Sequence, residues 1–228
     1  MISQVGHYEP VAREGIPFVV VPLVISVSAW WFSYPWISLV FLLISLAIAA
    51  FFRNPERIPP SEERIVVSPA DGRVVEIVRD ATFEYIPDES LTKVSIFMSI
   101  FNVHVNRAPI TGRVQKIAYR SGGFLDARES EASRTNEQNA VILKDGRAIG
   151  VVQVAGKIAR RIACWISEGD QVRLGDRFGL IRFGSRLDVY LPQDFTITVE
   201  KGRRVRAGVT VIARFSNTSV EKSARSGS

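Results

Sequence analysis

From Ile16 to Phe52 the chain carries no charged side chain; from Ile65 onward it changes to short runs of Val, Ile and Phe divided by Gly, Asp and Pro. The first stretch is too long for one simple span and short for two. Ser33-Tyr34-Pro35 breaks it near the middle, because proline constrains its own backbone and that of the residue before it. Each half has about 17 residues, roughly 25 Å of helix, the lower limit for crossing a bilayer. Trp30, Trp31, Tyr34 and Trp36 cluster at the break, where an aromatic belt would meet an interface. Arg13 precedes the stretch, Arg53 and Arg57 follow it, and the turn holds no Lys or Arg, so both ends are expected on the cytoplasmic side. The pattern predicts a membrane helical hairpin, either spanning or monotopic; a buried core hairpin of a soluble protein would show the same pattern. A cleaved signal peptide fits poorly, since no Ala-x-Ala site follows and the preceding segment is weakly basic.

The second pattern predicts strands. Ala70-Asp71-Gly72-Arg73-Val74-Val75-Glu76-Ile77 resembles Ile110-Thr111-Gly112-Arg113-Val114-Gln115-Lys116-Ile117, and Val154-Ala155-Gly156-Lys157-Ile158-Ala159-Arg160 reads as a third copy. Each copy is a turn with a permissive glycine followed by a strand of alternating faces. Gly169-Asp170 is a further hairpin signal, with Gly175-Asp176 one short strand later. The expected fold is mainly β, a barrel-sandwich-hybrid or lipoyl-like domain behind the hairpin. The divisions are an N-terminal segment over 1–15, the hairpin over 16–52, a β domain over 53–215 and a disordered tail over 216–228. Arg53-Asn54-Pro55-Glu56-Arg57 and the following Pro59-Pro60 read as a linker. Residues 121–139 break the β pattern with a polar stretch that is either functional or a solvated surface loop.

Net charge is +6, which suits anionic lipid or nucleic acid. The apolar stretch favours lipid, and no Lys/Arg run interleaved with aromatics suggests a nucleic-acid groove. The one cysteine, Cys164, excludes an internal disulfide, and the two histidines, His7 and His104, are too few for a zinc site. No metal is expected.

Four segments carry candidate chemistry: Ser68-Pro69-Ala70-Asp71-Gly72, Phe101-Asn102-Val103-His104-Val105-Asn106-Arg107-Ala108-Pro109, Asn136-Glu137-Gln138-Asn139 and Phe183-Gly184-Ser185. In this order, with the serine about 40 residues from the end, they resemble the phosphatidylserine decarboxylase family in its short bacterial and archaeal form, over about residues 50 to 212. The resemblance implies self-cleavage between Gly184 and Ser185 and conversion of Ser185 into a pyruvoyl group, the enzyme's own cofactor. Glycine before the serine suits this step, since it lacks a Cβ and admits the attacking hydroxyl. The hydroxyl needs a base; His104 is the candidate, with Asp71 as the carboxylate that fixes its tautomer. The pyruvoyl ketone would then take the amine of phosphatidylserine and accept the electrons released with carbon dioxide, giving phosphatidylethanolamine. His104 is also the candidate proton donor in that second reaction.

Asn136, Glu137 and Arg107 are candidate substrate contacts. Arg107 stands where the long bacterial form carries a second histidine, so either His104 serves both reactions or another group takes one role. The partners implied are phosphatidylserine, membrane lipid and a heterodimer of the chain's own 1–184 and 185–228 pieces, with room for a homo-oligomer and no nucleic acid. The implied location is the inner face of the cell membrane. A membrane-anchored lipoyl-like adaptor of an efflux or secretion system is the alternative. It is disfavoured because no long amphipathic helical stretch interrupts the β pattern, and Lys144-Asp145-Gly146 does not match a carrier lysine.

Overall fold

The computed structural model describes residues 9–123, 135–156, 162–182 and 185–216. Several expectations therefore fall outside the described residues: His7, most of the polar stretch (124–134), Lys157–Arg160 of the third repeat, Gly184 of the scission pair, and the tail from 217.

The apolar stretch forms two helices, α1 (Ile16–Trp31) and α2 (Pro35–Phe51). They turn at Ser33, whose φ of 64° is left-handed, and Pro35 opens α2, where a missing N–H costs nothing. The seam between them is small and polar. Ser26 Oγ donates to Ser38 O at 2.8 Å, and Ser45 Oγ donates to Val19 O at 2.9 Å. The outward side chains are apolar, with Val27 62% and Leu43 57% exposed. Small residues inside and apolar residues outside is the distribution a hairpin in lipid requires. Arg13–Trp31 is long and apolar enough to cross a membrane, which supports membrane association.

The rest is β structure: β1 (Ile65–Val67), β2 (Gly72–Phe83), β3 (Ile86–Met98), β4 (Val105–Arg107), β5 (Gly112–Arg120), β6 (Gln138–Asp145) and β7 (Arg147–Val154). Then come β8 (Ile162–Cys164), β9 (Gln171–Val172), β10 (Arg177–Ile181), β11 (Ser185–Pro192), β12 (Phe195–Ile197), β13 (Arg204–Val205) and β14 (Val211–Phe215). An eight-stranded sheet runs β13-β2-β3-β11-β7-β6-β5-β9, beside three-stranded sheets β1-β14-β12 and β4-β10-β8. The fold is mainly β with an N-terminal apolar hairpin, in agreement with the sequence pattern.

The first two repeats occupy equivalent places. β2 and β5 each begin at the repeat's glycine, and each pairs with a two-residue strand at that end. At Gly72 a Cβ would lie 2.1 Å from Phe97 O, so strand pairing itself demands glycine there. The main core lies between the sheets, with Val74, Ile96, Val114, Phe178, Leu187 and Val189 buried in it.

A second, smaller core joins the hairpin to the β domain. Phe51 and Phe52 pack there with Ala12, Val103, Val105 and Leu180. Trp165 Nε1 donates to Glu14 at 2.7 Å, and Val11 bridges Arg53 in antiparallel fashion. The hairpin thus docks on β4 and β10.

Candidate active site

Ser185 opens β11, a central strand paired with β3 on one side and β7 on the other. It lies opposite Met98, the last residue of β3. The residue is fully buried, and its Oγ has no hydrogen-bond partner among the described residues. An orphaned buried hydroxyl is costly, so natural folds keep one mainly where chemistry uses it.

Four residues beyond Met98, the turn Ser99–Asn102 ends and leads to His104. The turn is locked by Asn102, whose Oδ1 accepts from Ser99 N and Ser99 Oγ, both at 2.9 Å. Asn102 O lies 2.9 Å from His104 Nδ1. A carbonyl oxygen only accepts, so Nδ1 carries the proton. Burial pushes the His104 pKa down to about 4, against the partial support of the Asn102 carbonyl, so the ring is neutral at pH 7. Nε2 therefore presents a lone pair, and it too is buried without a partner among the described residues. Phe51 of α2 covers the ring at 4.1 Å between centroids. A neutral imidazole with an unoccupied Nε2 lone pair is the form a general base needs. Because an unfolded histidine titrates near 6.5, the unfolded chain binds a proton below that pH which the fold holds only near 4. This group's contribution to stability is present above about 6.5 and is lost as pH falls through about 4.

Asp71 is not hydrogen-bonded to His104; its carboxylate is taken by other groups. Arg57 Nη1 and Nη2 donate to its two oxygens at 2.5 and 2.8 Å, and Ala207 N donates to Oδ1 at 2.8 Å. The tautomer-fixing task expected of Asp71 is performed by the Asn102 carbonyl. The Asp71 charge still favours the protonated ring through space, as the smallest of several influences.

Arg107, expected at the substrate, is likewise committed. It donates to Gly175 O at 2.8 Å and to Pro55 O at 2.7 Å. Burial, then the neighbouring Arg177 and Arg57 charges, lower its pKa to about 10, leaving it protonated at neutral pH. Arg177 donates to Asn54 Oδ1 at 2.7 Å and Glu56 Oε1 at 2.8 Å. So 54–57, which reads as a linker in sequence, is a strap sewn into the β domain by three arginines and Asp71. The signal was in plain view: five polar or proline residues, 53–57, directly after the apolar stretch, with no glycine or serine to loosen them.

The Arg57–Asp71 pair is nearly buried, with side chains 4% and 12% exposed. Removing one partner strands the other, which costs about 3–5 kcal/mol for such pairs. Asp71→Ala and Arg57→Ala are therefore expected to lower the thermal midpoint by similar amounts, measured in an uncleaved Ser185→Ala background. In the otherwise native chain, Asp71→Asn and Arg57→Lys are expected to slow scission alike, read by gel. A defect confined to Asp71 variants would instead mark a direct action on His104.

Asn136 and Glu137 are buried at the rim of β6. Asn136 Nδ2 donates to Ala155 O at 2.8 Å, and Glu137 Oε1 accepts from Ile162 N at 3.3 Å. They join the strand ends that flank residues 157–161. Beside them runs a row of buried amides that sequence inspection missed. Asn139 Nδ2 donates to Gln153 Oε1 at 2.9 Å, and Gln153 Nε2 donates to Asn106 Oδ1 at 2.8 Å. Asn106 Nδ2 in turn donates to the Met98 sulfur at 3.7 Å. Alternating apolar and amide residues on strands read as ordinary patterning, so no local signal marked this row. A separate cleft of about 810 Å³, lined by Arg64, Asp145, Arg147, Phe195 and Phe215 among others, contains none of these groups.

A buried hydroxyl without a partner at the head of a central strand, and a neutral buried imidazole covered by an apolar hairpin, are features that suit a serine-centred enzyme associated with a membrane. Residues 44–213 match the phosphatidylserine decarboxylase family. The chain is 46% identical over 212 residues to the phosphatidylserine decarboxylase proenzyme of Syntrophus aciditrophicus (strain SB), covering 92% of this chain and 99% of that one. It is 47% identical over 205 residues to the proenzyme of the same name from Geotalea uraniireducens (strain Rf4), covering 89% and 95%. The chain belongs to the phosphatidylserine decarboxylase family. Nothing in the comparisons favours the adaptor alternative.

Proposed function

We propose that the chain decarboxylates phosphatidylserine to phosphatidylethanolamine after cutting itself between Gly184 and Ser185. The observation that supports this reading is that Ser185 Oγ and His104 Nε2 are both buried without a partner among the described residues, Ser185 opposite Met98 at the end of β3 and His104 just beyond the Ser99–Asn102 turn that follows it.

In the proposed scission, His104 Nε2 takes the Ser185 hydroxyl proton and Oγ attacks the Gly184 carbonyl carbon. The peptide C–N bond breaks as the ester C–O bond forms, and the freed nitrogen takes the proton. Loss of the serine α-proton then expels the Gly184 carboxylate and leaves a dehydroalanine at 185. One water replaces the nitrogen, ammonia leaves, and a pyruvoyl group remains. The chain's residues fit that group: position 185 is buried, heads a strand anchored on both flanks, and its hydroxyl is engaged by nothing else among the described residues. When present, the pyruvoyl group supplies a carbonyl electron sink for decarboxylation. His104 is the residue placed to hold or return a proton there, and the hairpin keeps the site at the lipid surface.

The proposed products stay together. β11, β12, β13 and β14 all lie after the scission point; β11 pairs with β3 and β7, β13 with β2 and β14 with β1 of the larger piece. The heterodimer is thus a shared sheet. By the charge distribution around the hairpin, the catalytic domain (53–215) lies on the cytoplasmic side of the inner membrane. Asn136 and Glu137 act by holding the strand ends beside the site, and Arg107 by bracing the 54–57 strap.

Carbon dioxide release from carboxyl-labelled phosphatidylserine tests the activity. The purified protein is expected to lose that release on treatment with hydroxylamine, which captures ketones; full resistance would count against the cofactor. The lowered His104 pKa gives a second expectation. The scission rate is expected to rise through about pH 4 and to stay level from pH 5 to 8, because the base is already neutral. A midpoint near 6.5 in a timed scission assay would show that His104 is solvated when it acts.

A further inference from the structure

The turn that carries His104 has an exposed apolar apex. Ile100 is 49% and Phe101 80% exposed, and they sit at the middle positions of the Ser99–Asn102 turn. Outside the hairpin, the other large hydrophobic side chains that are exposed among the described residues are Ile58 and Tyr119, and neither has an exposed apolar neighbour in sequence. A phenylalanine four-fifths in water on a rigid turn calls for a partner.

The hairpin says where the apex lies. Arg53 Nη1 donates to Ala50 O in the last turn of α2 at 2.6 Å, and its Nη2 donates to Phe101 O at 2.7 Å. One guanidinium therefore ties the apex to the end of the helix, at the level where the apolar stretch stops. Arg182, three residues before Ser185, lies over the Phe18 ring of α1 at 5.4 Å, at the same end of the hairpin. An apolar tip between cations, beside the base of an apolar hairpin, matches the chemistry of an anionic bilayer surface: tails for the rings, headgroups for the arginines.

We propose that Ile100 and Phe101 form a second membrane contact, inserted just beneath the lipid headgroups. The contact rests on the reading of residues 16–52 as a membrane hairpin and is continuous with it. Its consequence is positional. The same turn fixes the Asn102 carbonyl that orients His104, and Phe51 of the hairpin covers the other side of the ring. The contact holds the mouth of the site at headgroup depth, so a phospholipid headgroup reaches it without its tails leaving the bilayer.

Spin labels test this in the full chain with Cys164→Ala, reconstituted in phosphatidylcholine vesicles containing phosphatidylserine. One label is placed at Phe101→Cys and another at Val27→Cys on the outer face of α1. The label at 101 is expected below the phosphate level by oxygen and nickel-chelate accessibility, and the label at 27 deep in the tails. A water-exposed label at 101 with a lipid-embedded one at 27 overturns the contact alone. Water exposure at both overturns the hairpin reading as well. In Phe101→Asp, turnover on vesicle phosphatidylserine relative to a monomeric short-chain phosphatidylserine is expected to fall about tenfold, the scale of losing one buried aromatic anchor. An unchanged ratio would overturn the proposal. So would a change of oligomeric state in Phe101→Asp, which would assign the apex to a second copy of the chain.

Discussion

Ser185→Ala is expected to yield one uncut chain with no decarboxylation above background. The hydroxyl is the attacking group of the proposed scission and, as the ester oxygen, the leaving group of the elimination that turns residue 185 into the cofactor, so nothing downstream survives its loss. The fold should survive. Ser185 is fully buried, its Oγ bonds to nothing described, and alanine removes only that oxygen. Removing an unsatisfied buried polar atom is neutral or stabilising. Unfolding midpoint and scission thus separate cleanly: an intact fold with no cut supports the role, whereas an unfolded variant would point to a structural role for the hydroxyl. Normal phosphatidylethanolamine production by this variant would remove the whole reading.

His104→Ala has the next largest expected effect, a slowing of scission by about 10²–10⁴-fold, the usual worth of a positioned general base. The side chain lies between the Ser99–Asn102 turn and Phe51, so its loss also leaves a void against the hairpin. A timed gel assay separates two outcomes. Slow scission followed by poor turnover means that one imidazole serves both reactions. Normal scission with lost turnover confines His104 to decarboxylation and leaves Ser185 in need of another base. The question has force because Arg107, at the place of the long form's second histidine, is occupied by Gly175 O and Pro55 O.

Much of the architecture was legible from patterning. A run of 37 uncharged positions broken by Ser33-Tyr34-Pro35 can hardly be anything but two helices, and the left-handed Ser33 is where they turn. The Gly72 and Gly112 repeats marked strand starts because a close backbone approach excludes a Cβ there. Patterning was blind to two other things. The first is long-range polar pairing: Asp71 looked like a partner for His104, yet Arg57 and Ala207 N, 14 and 136 residues away, hold it. The second is burial of polar side chains. Asn54, Asn106, Asn139 and Gln153 are almost fully buried, a property that sequence alone hides because it depends on which strands meet.

The same blindness applied to the hairpin's second task. Its apolar surface announced a membrane, but nothing in the pattern announced that Phe51 would lie on the imidazole or that residues 54–57 would tie down Arg107, Arg177 and Asp71. Anchor and site are one packed unit, which is why truncating the hairpin should damage scission as well as membrane binding.

Intact mass spectrometry of the purified protein tests the central claim most directly. Two polypeptides are expected, one ending at Gly184 and one beginning at position 185, the latter lighter by one ammonia than a chain with an N-terminal serine. A single continuous polypeptide that still decarboxylates phosphatidylserine would contradict it.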